Sequence, residues 1–358
     1  MSPAAALPAG YPARMLSVAL LACVVETEPP DSEDSPAIAT RGDSMGFCDA
    51  WDTLSMGSID ELTVANSDVA DAAELQLRVV RPHRPRGSVF AWNLVNPPGA
   101  VTSDWTMADF AVLESQVQGR EVFGTLQVYT DPTAGDLPVF TVPPHAEEMA
   151  AWLDFVSRVV ERYDFDGLDD MPGLIAPVGA WEVGNEPTSP PLTIETDGPV
   201  FVDWMAATYD AAKASSATTL VLVGGAAPVL TLDGEVDPWV DGLFRYFFEH
   251  GGAAYTDAFN FHTFVGVPNP DVDAYFDHWE SVVVGVPFWV GEVGSRGANI
   301  QTEWGTPADE ARWMIERLDS SFERGAERVH WCRGGLETAD IPEEVLAAIA
   351  EYAGTPVE

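Results

Sequence analysis

Eight short apolar runs divide the chain from Ser44 onward, and segments with helical periodicity separate them. Most of these runs are apolar throughout rather than alternating, as expected for parallel strands that are covered on both faces. The predicted strands are Met45–Cys48, Leu77–Arg81, Val122–Tyr129, Gly179–Asn185, Thr219–Gly224, Phe259–His262, Pro287–Gly291 and Arg328–Cys332. Eight strands alternating with helices predict an α/β fold, a (β/α)8 TIM barrel, whose usual size of about 250 residues or more fits residues 44–352.

The segments between the predicted strands carry the signals of helices. Met149, Trp152 and Val160 belong to one apolar stripe at helical spacing. Thr306-Pro307 is typical of a helix start, with a capping side chain followed by proline. Trp152 and Trp313 lie on such stripes, so we expect them in the core. Helices are predicted at Met107–Gln118, Met149–Tyr163, Val202–Lys213, Val272–Glu280 and Ala308–Arg324.

A doubly wound open sheet is the alternative architecture. It normally has a glycine-rich phosphate-binding loop after its first strand, and no such loop follows Met45–Cys48. We find neither an internal repeat nor a second domain. The barrel is therefore the favoured fold, as a single catalytic domain.

The amino-terminal 43 residues are expected to lie outside this domain, which we assign to residues 44–358. Arg14 precedes the apolar run Met15–Cys23, and an acidic, proline-containing linker follows it. The run is too short for a bilayer, which takes about 20 residues, and the pattern resembles a secretory signal. Leu20-Leu-Ala-Cys23 is similar to a bacterial lipobox, which implies export and a lipid anchor at Cys23. The alternative is a disordered tail with a chance apolar patch.

The chain is strongly acidic, with 57 Asp and Glu residues against 17 Lys and Arg residues and a formal net charge of −40. Such a chain repels nucleic acids and anionic membranes. We therefore expect no nucleic-acid partner, and contact with a membrane only through the lipid anchor at Cys23. We expect a monomer. Lys213 is the only lysine. This composition suits a saline habitat, where ions screen the repulsion, and a GC-rich genome is the alternative explanation.

Three cysteines are too few for a disulfide scaffold. No cluster of Cys and His has the spacing of zinc ligands, so the sequence predicts neither a metal nor a cofactor. Cys48 and Cys332 fall on predicted strands one and eight, which are neighbours in a closed barrel. A bond between them would require export, and adjacent-strand bridges are strained more often than not, so pairing is the less favoured alternative.

Two glutamates close apolar, strand-like runs. Glu186 ends Trp181-Glu-Val-Gly-Asn-Glu-Pro187, at predicted strand four, and Glu292 lies in Pro287-Phe-Trp-Val-Gly-Glu-Val-Gly294, at predicted strand seven. Catalytic residues of TIM barrels lie at the carboxyl ends of the strands. A pair of carboxyl groups held there can cleave a glycosidic bond, because one protonates the leaving oxygen while the other attacks the anomeric carbon.

These motifs resemble those of clan A glycoside hydrolases, closest in pattern to family 39 and to cellulase-like family 5 barrels. The likeness extends over most of residues 44–335. Gly124-Thr-Leu-Gln-Val-Tyr129 is similar to their third strand, Trp152–Tyr163 to their third helix, and Val223-Gly-Gly225 to their fifth strand. The resemblance implies a retaining mechanism with the acid/base on strand four and the nucleophile on strand seven.

The resemblance implies roles for individual residues. Glu186 is expected to be the acid/base, Glu292 the nucleophile, and Asn185 a hydrogen-bond partner of the sugar 2-hydroxyl. Glu186 must then keep its proton through burial and the nearby charge of Glu292, while Glu292 needs donors to stay ionised. Arg81 is expected to donate to Glu292. Arg78 is expected to be a structural partner of Glu182.

Further substrate contacts are expected around the barrel mouth. His262 ends predicted strand six, where the resembled families often place a substrate-contacting histidine. Trp331 ends predicted strand eight, and its ring is expected to stack on a sugar face, as are the rings of Tyr129 and Trp51.

Two positions depart from the family pattern. Gly184 stands where family 39 has a tryptophan, and this glycine opens space beside Glu186. Phe264 stands near the place of a tyrosine that donates to the nucleophile, so either another residue supplies that donor or the nucleophile is tuned differently. These departures are the only support for the main alternative, a catalytically silent barrel that binds carbohydrate.

The sequence therefore predicts an exported, retaining β-glycoside hydrolase that acts on a poly- or oligosaccharide by double displacement. A hydrolase of another bond type has no support. The one Gly-x-Ser-x-Gly match, Gly42-Asp-Ser-Met-Gly46, precedes a predicted strand instead of following one, and the chain has no cluster of water-activating metal ligands.

Overall fold

A computed structural model describes residues 40–50, 78–84, 87–96, 102–128, 143–187, 193–231, 233–263, 272–294, 306–332 and 342–356, all within one compact unit. Eight parallel strands form the centre of this unit. They are β1 (Met45–Ala50), β2 (Val79–Arg84), β3 (Glu121–Leu126), β4 (Ala180–Asn185), β5 (Leu220–Ala226), β6 (Ala258–His262), β7 (Phe288–Val293) and β8 (Ala326–Trp331).

The eight strands form a closed ring. Each strand from β2 to β7 pairs in parallel with the next one along the chain. β1 closes the ring because it pairs on one side with β2, Gly46 beside Val79, and on the other with β8, Met45 beside Val329. The prediction of a (β/α)8 barrel is confirmed, and all eight predicted strands coincide with observed ones. A two-residue strand, Gly87–Ser88, pairs antiparallel with the end of β2.

Helices connect the strands on the outside of the ring. The described helices are α1 (Trp92–Val95), α2 (Thr106–Val117), α3 (Met149–Arg162), α4 (Ile194–Ser215), α5 (Pro238–Glu249), α6 (Val272–Glu280), α7 (Pro307–Glu323) and α8 (Glu343–Ala353). Within the described part of the chain, none of them is long and apolar enough to cross a membrane.

Five of these helices agree with the predicted ones, and α1, α5 and α8 were not predicted. α5 begins at an aspartate cap that the sequence prediction missed: Asp237 accepts from the backbone N–H of Trp239 at 2.8 Å, and Pro238 follows the cap. α4 starts eight residues before the predicted Val202 because the helix continues through Pro199.

The interior of the barrel is layered. One apolar residue from each of six consecutive strands forms a separate buried cluster, consisting of Val79, Phe123, Ala180, Leu222, Ala258 and Trp289. Side chains two residues apart on a strand point to the same face. The next layer toward the carboxyl ends is therefore formed by the residues two positions later, which include Arg81, Thr125, Glu182 and Asn260, all buried. A polar layer thus lies directly on an apolar floor.

A larger apolar cluster fills the space between the sheet and the helices. Trp152 is fully buried in it, which confirms the expectation for this ring, whereas Trp313 is only partly buried and packs against the cluster. The alternate residues of the strands, such as Trp181 and Val183, belong to this outer cluster. The carboxyl ends of the strands are left to carry the polar side chains described below.

Candidate active site

Glu186 lies immediately after β4, where the backbone leaves the sheet. Its φ of 47° is in the left-handed region, which is uncommon for a residue with a side chain. Its backbone N–H donates to the carbonyl of Gly225 on β5 at 2.9 Å. This bond holds the strained turn and turns the Glu186 side chain toward the barrel mouth.

Gly184 also has a left-handed backbone, with φ of 84°. Residues with a β-carbon avoid this conformation, so the local turn calls for glycine at this position. The departure from the family 39 pattern therefore has a backbone cause, in addition to the space that a missing side chain leaves beside Glu186.

Glu292 lies near the end of β7, in register with His262 of β6. The strand pairing is irregular at this point, and the Glu292 carbonyl accepts from the N–H of Thr263 at 2.9 Å. An oxygen of Glu292, an oxygen of Glu186 and a ring nitrogen of His262 all lie within 4.8 Å of one another. The structure thus brings the two predicted catalytic carboxyl groups together.

Arg81, on β2, is completely buried between carboxylates. Its Nη1 donates to Glu292 Oε1 at 2.6 Å, and its Nη2 donates to Asn185 Oδ1 at 2.6 Å. Burial favours the neutral form, but the carboxylates of Glu182 and Glu292 outweigh it and raise the pKa of Arg81. The guanidinium is thus a permanent positive charge beside Glu292, and the expected donor to that side chain is present. Phe264 itself lies outside the described residues.

His262 links the two carboxyl groups. Its Nδ1 lies 3.0 Å from Glu186 Oε1, and its Nε2 lies 3.7 Å from Glu292 Oε1. Burial lowers the pKa of His262, yet Glu292 and Glu186 outweigh this effect and raise it above the ordinary value. The hydrogen bond between His262 Nδ1 and Glu186 Oε1 fixes the orientation of that carboxyl group.

Glu182 is a site residue that the sequence prediction named only as the expected partner of Arg78. It is fully buried and accepts from Arg81 Nη2 at 2.6 Å. The expectation that Arg78 is its partner is wrong, because Arg78 lies on the surface just before β2 and donates to Asp43 at 2.9 Å. A charged residue inside an apolar strand, four positions before Glu186, was the signal that could have identified it.

Of the three aromatic residues predicted to stack on sugar rings, the structure describes only Trp331. The side chain of Trp331 is buried, with 5% of its surface exposed, and its stacking role stays a prediction. Tyr129 and Trp51 lie outside the described residues. Cys332 is disulfide-bonded, against the favoured expectation. The side chain of Cys48, and all of Cys23, lie outside the described residues.

Two groups of side chains in the described residues have the geometry to hold a metal ion. The first is Glu186, His262 and Glu292, and the second is Asp164, Asp166 and Asp170 in the loop after α3. The first group already contains the guanidinium of Arg81 at hydrogen-bond distance from Glu292, which disfavours a cation there. In the second, Asp166 and Asp170 accept backbone N–H groups of their own loop.

Comparisons with family models and with curated proteins give no match. Solved structures resemble this chain in fold. A glucosidase from Croceicoccus marinus has a TM-score of 0.62 at 15% identity, with coverage of 89% of this chain and 68% of that chain. A family 39 glycoside hydrolase from Bacteroides cellulosilyticus WH2 has a TM-score of 0.59 at 14% identity, covering 89% and 65%.

A third structure, xylanase 10B from Thermotoga petrophila RKU-1 in complex with xylobiose, has a TM-score of 0.59 at 13% identity. The alignment covers 87% of this chain and 94% of the xylanase. At such identities the likeness concerns the fold alone. The fold is the barrel of these glycoside hydrolases, including family 39, which the sequence motifs resemble.

Proposed function

We propose that this protein is a retaining β-glycoside hydrolase that cleaves a poly- or oligosaccharide. The supporting observation is the short separation of Glu186 and Glu292, whose nearest oxygens lie within 4.8 Å. Retaining glycosidases hold their two carboxyl groups about 5–5.5 Å apart, whereas inverting ones leave about 6.5–9.5 Å for a water molecule. The separation therefore favours direct attack on the sugar by a carboxylate.

In the first step, the carboxylate of Glu292 attacks the anomeric carbon and forms an ester bond with it. The bond from that carbon to the glycosidic oxygen breaks, and Glu186 gives its proton to the departing oxygen. Arg81 and His262 support these roles, because Arg81 donates to Glu292 and His262 contacts Glu186. The positive guanidinium favours the ionised form of Glu292 that the attack requires.

In the second step, water attacks the anomeric carbon of the glycosyl ester. Glu186, now ionised, takes a proton from this water, and the ester bond to Glu292 breaks with the carboxylate as leaving group. The oxygen of Asn185 accepts from Arg81, which orients the amide so that its NH2 group can donate to the sugar 2-hydroxyl. Each carboxyl group returns to its starting state.

The test is mass spectrometry of the intact protein after exposure to 2-fluoro-glycosides of the gluco, xylo, manno and galacto series with activated leaving groups. We expect an adduct on Glu292 and its loss in Glu292→Gln. Glu121→Gln is the matched control, because Glu121 begins β3 at the opposite end of the barrel and pairs with Arg328. Absence of adducts, together with no hydrolysis of any polysaccharide at low and high salt, would favour a silent carbohydrate-binding barrel.

We also propose that the protein is exported and anchored through a lipid on Cys23. The supporting observation is the lipobox-like Leu20-Leu-Ala-Cys23 after a short apolar run. Expression of the full chain in a bacterium with labelled palmitate provides the test. We expect label in the membrane fraction for the parent and none for Cys23→Ala, and equal labelling of both would contradict the anchor.

A further inference from the structure

A single buried carboxylate connects the polar layer of the barrel. Glu182, on β4, is fully buried and accepts five hydrogen bonds. Its Oε2 accepts from Arg81 Nε at 3.1 Å, Arg81 Nη2 at 2.6 Å and Thr125 Oγ1 at 2.9 Å. Its Oε1 accepts from the N–H of Gly225 at 2.6 Å and from Asn260 Nδ2 at 2.5 Å. The donors come from β2, β3, β5 and β6, two strands on each side of β4.

The neighbouring backbone is shaped to admit this carboxylate. A β-carbon at Gly225 would collide with Glu182 Oε1 and with the imidazole of His262. Both groups therefore approach the β5 backbone at a place where only glycine fits. The buried carboxylate and the histidine that contacts Glu186 thus share one tightly packed layer.

The buried ion pair between Arg81 and Glu182 requires an explanation. Removing a carboxylate and a guanidinium from water is costly, and apolar residues of similar size often stabilise a core as well or better. The Arg81 bonds indicate the reason. Its Nε and Nη2 donate to Glu182, while Nη2 and Nη1 reach Asn185 and Glu292. Because a guanidinium is planar and rigid, fixing it at Glu182 fixes the direction in which Nη1 points.

We propose that Glu182 is a positioning residue of the catalytic site, which holds Arg81 so that its Nη1 meets the nucleophile Glu292. This inference rests on the proposed function. Glu182 touches neither reacting group itself and acts through the guanidinium. A purely structural role would predict that its loss lowers the stability or the folded fraction and leaves correctly folded molecules fully reactive.

Glu182→Gln is the decisive change, since an amide has one acceptor oxygen where the carboxylate has two. Its NH2 group must face either Arg81 and Thr125 or Gly225 and Asn260, and in both cases donors meet a donor. The guanidinium is then displaced or loses its anchor. If this variant fails to fold, Glu182→Asp keeps the charge but withdraws the carboxylate by one methylene, with the same expected displacement.

Two measurements test the proposal. The first is a crystal structure of the variant, where we expect the 2.6 Å contact between Arg81 Nη1 and Glu292 Oε1 to be lost. The second is the rate at which a 2-fluoro-glycoside traps the protein. This rate is expressed per active site, and the final yield of adduct gives the number of active sites. We expect this rate to fall about 10- to 100-fold, as for loss of one charged hydrogen bond, with KM for the substrate changed less than about threefold.

The control is Thr208→Val, which removes a buried acceptor of Trp152 Nε1 between α3 and α4, away from Arg81. We expect it to lower the stability and to leave the trapping rate per site unchanged. A Glu182 variant that traps at the parent rate, or that keeps Arg81 on Glu292, overturns the proposal. Absence of trapping in the parent would instead contradict the proposed function, and the crystal structure would still decide whether Glu182 positions Arg81.

Discussion

His330 offers a quantitative test of the barrel interior. It is fully buried on β8, stacked on Phe123 with ring centroids 5.0 Å apart, and beside Trp289 at 6.4 Å. Burial, with the charges of Arg81 and Arg328, lowers the pKa of His330 to about 3. The folded protein therefore keeps this ring neutral at a pH where the unfolded chain, with a histidine pKa of about 6.5, takes up a proton.

The sign of the effect follows from which state binds the proton. Between pH 6.5 and pH 3 the unfolded chain holds the extra proton, so acidification in this window lowers the free energy of unfolding. One proton corresponds to about 1.4 kcal/mol per pH unit, which gives a loss of about 2 kcal/mol between pH 7 and pH 5. The contribution is fully present above pH 6.5 and decreases toward pH 3.

The assay is urea denaturation followed by tryptophan fluorescence at pH 7, 6 and 5, for the parent and for His330→Leu. Leucine has a similar volume and no titrating group, so we expect the variant to gain about 2 kcal/mol on the parent between pH 7 and pH 5. Phe123→Leu is the control, because it perturbs the same cluster without removing a titrating group. Parallel curves for the parent and His330→Leu across this range would refute the reasoning.

Three further changes test the site. Arg81→Lys keeps the charge, but one ammonium group cannot donate to Glu182 and Glu292 together, so kcat/KM should fall about 10- to 100-fold. A decrease of less than threefold would contradict this prediction. Gly184→Ala should lower the free energy of unfolding, measured by urea denaturation, by about 1–2 kcal/mol because the φ of Gly184 is positive. Gly179→Ala is the control and should have no such effect, because the φ of Gly179 is ordinary and its surroundings are open. The pKa of His262 is raised, so this side chain should stabilise the folded protein relative to His262→Gln at pH 6, and the difference should shrink toward pH 9. Urea denaturation of both proteins measures this difference in the free energy of unfolding. A difference that does not change with pH would contradict the prediction.

The positions of the strands could be predicted from local sequence because buried parallel strands are continuous apolar runs. Helix boundaries were less certain, since proline usually marks a helix start, whereas α4 continues through Pro199. Phe201 and Trp204, just beyond this proline, are buried in the core. Their packing outweighs the local preference, which is information that no short sequence window contains.

The partners of the charged residues were harder to predict. Arg78 and Arg81 are three positions apart, and strand side chains alternate, so two such residues cannot both face the barrel interior. Only Arg81 lies within the observed strand, where it reaches both Glu182 and Glu292. The sequence prediction assigned these two contacts to different arginines because the strand boundary and the facing side chains are set by the whole ring.

The sequence alone determined the alternation of eight strands with helices and the two glutamates at the ends of strands four and seven. These features are local, since they depend on apolar runs and on motifs a few residues long. Tertiary structure decided that Glu182, Arg81 and His262 form one buried network with Glu186 and Glu292. Arg81 and Glu292 are 211 positions apart in the chain, and only closure of the barrel brings them within 2.6 Å.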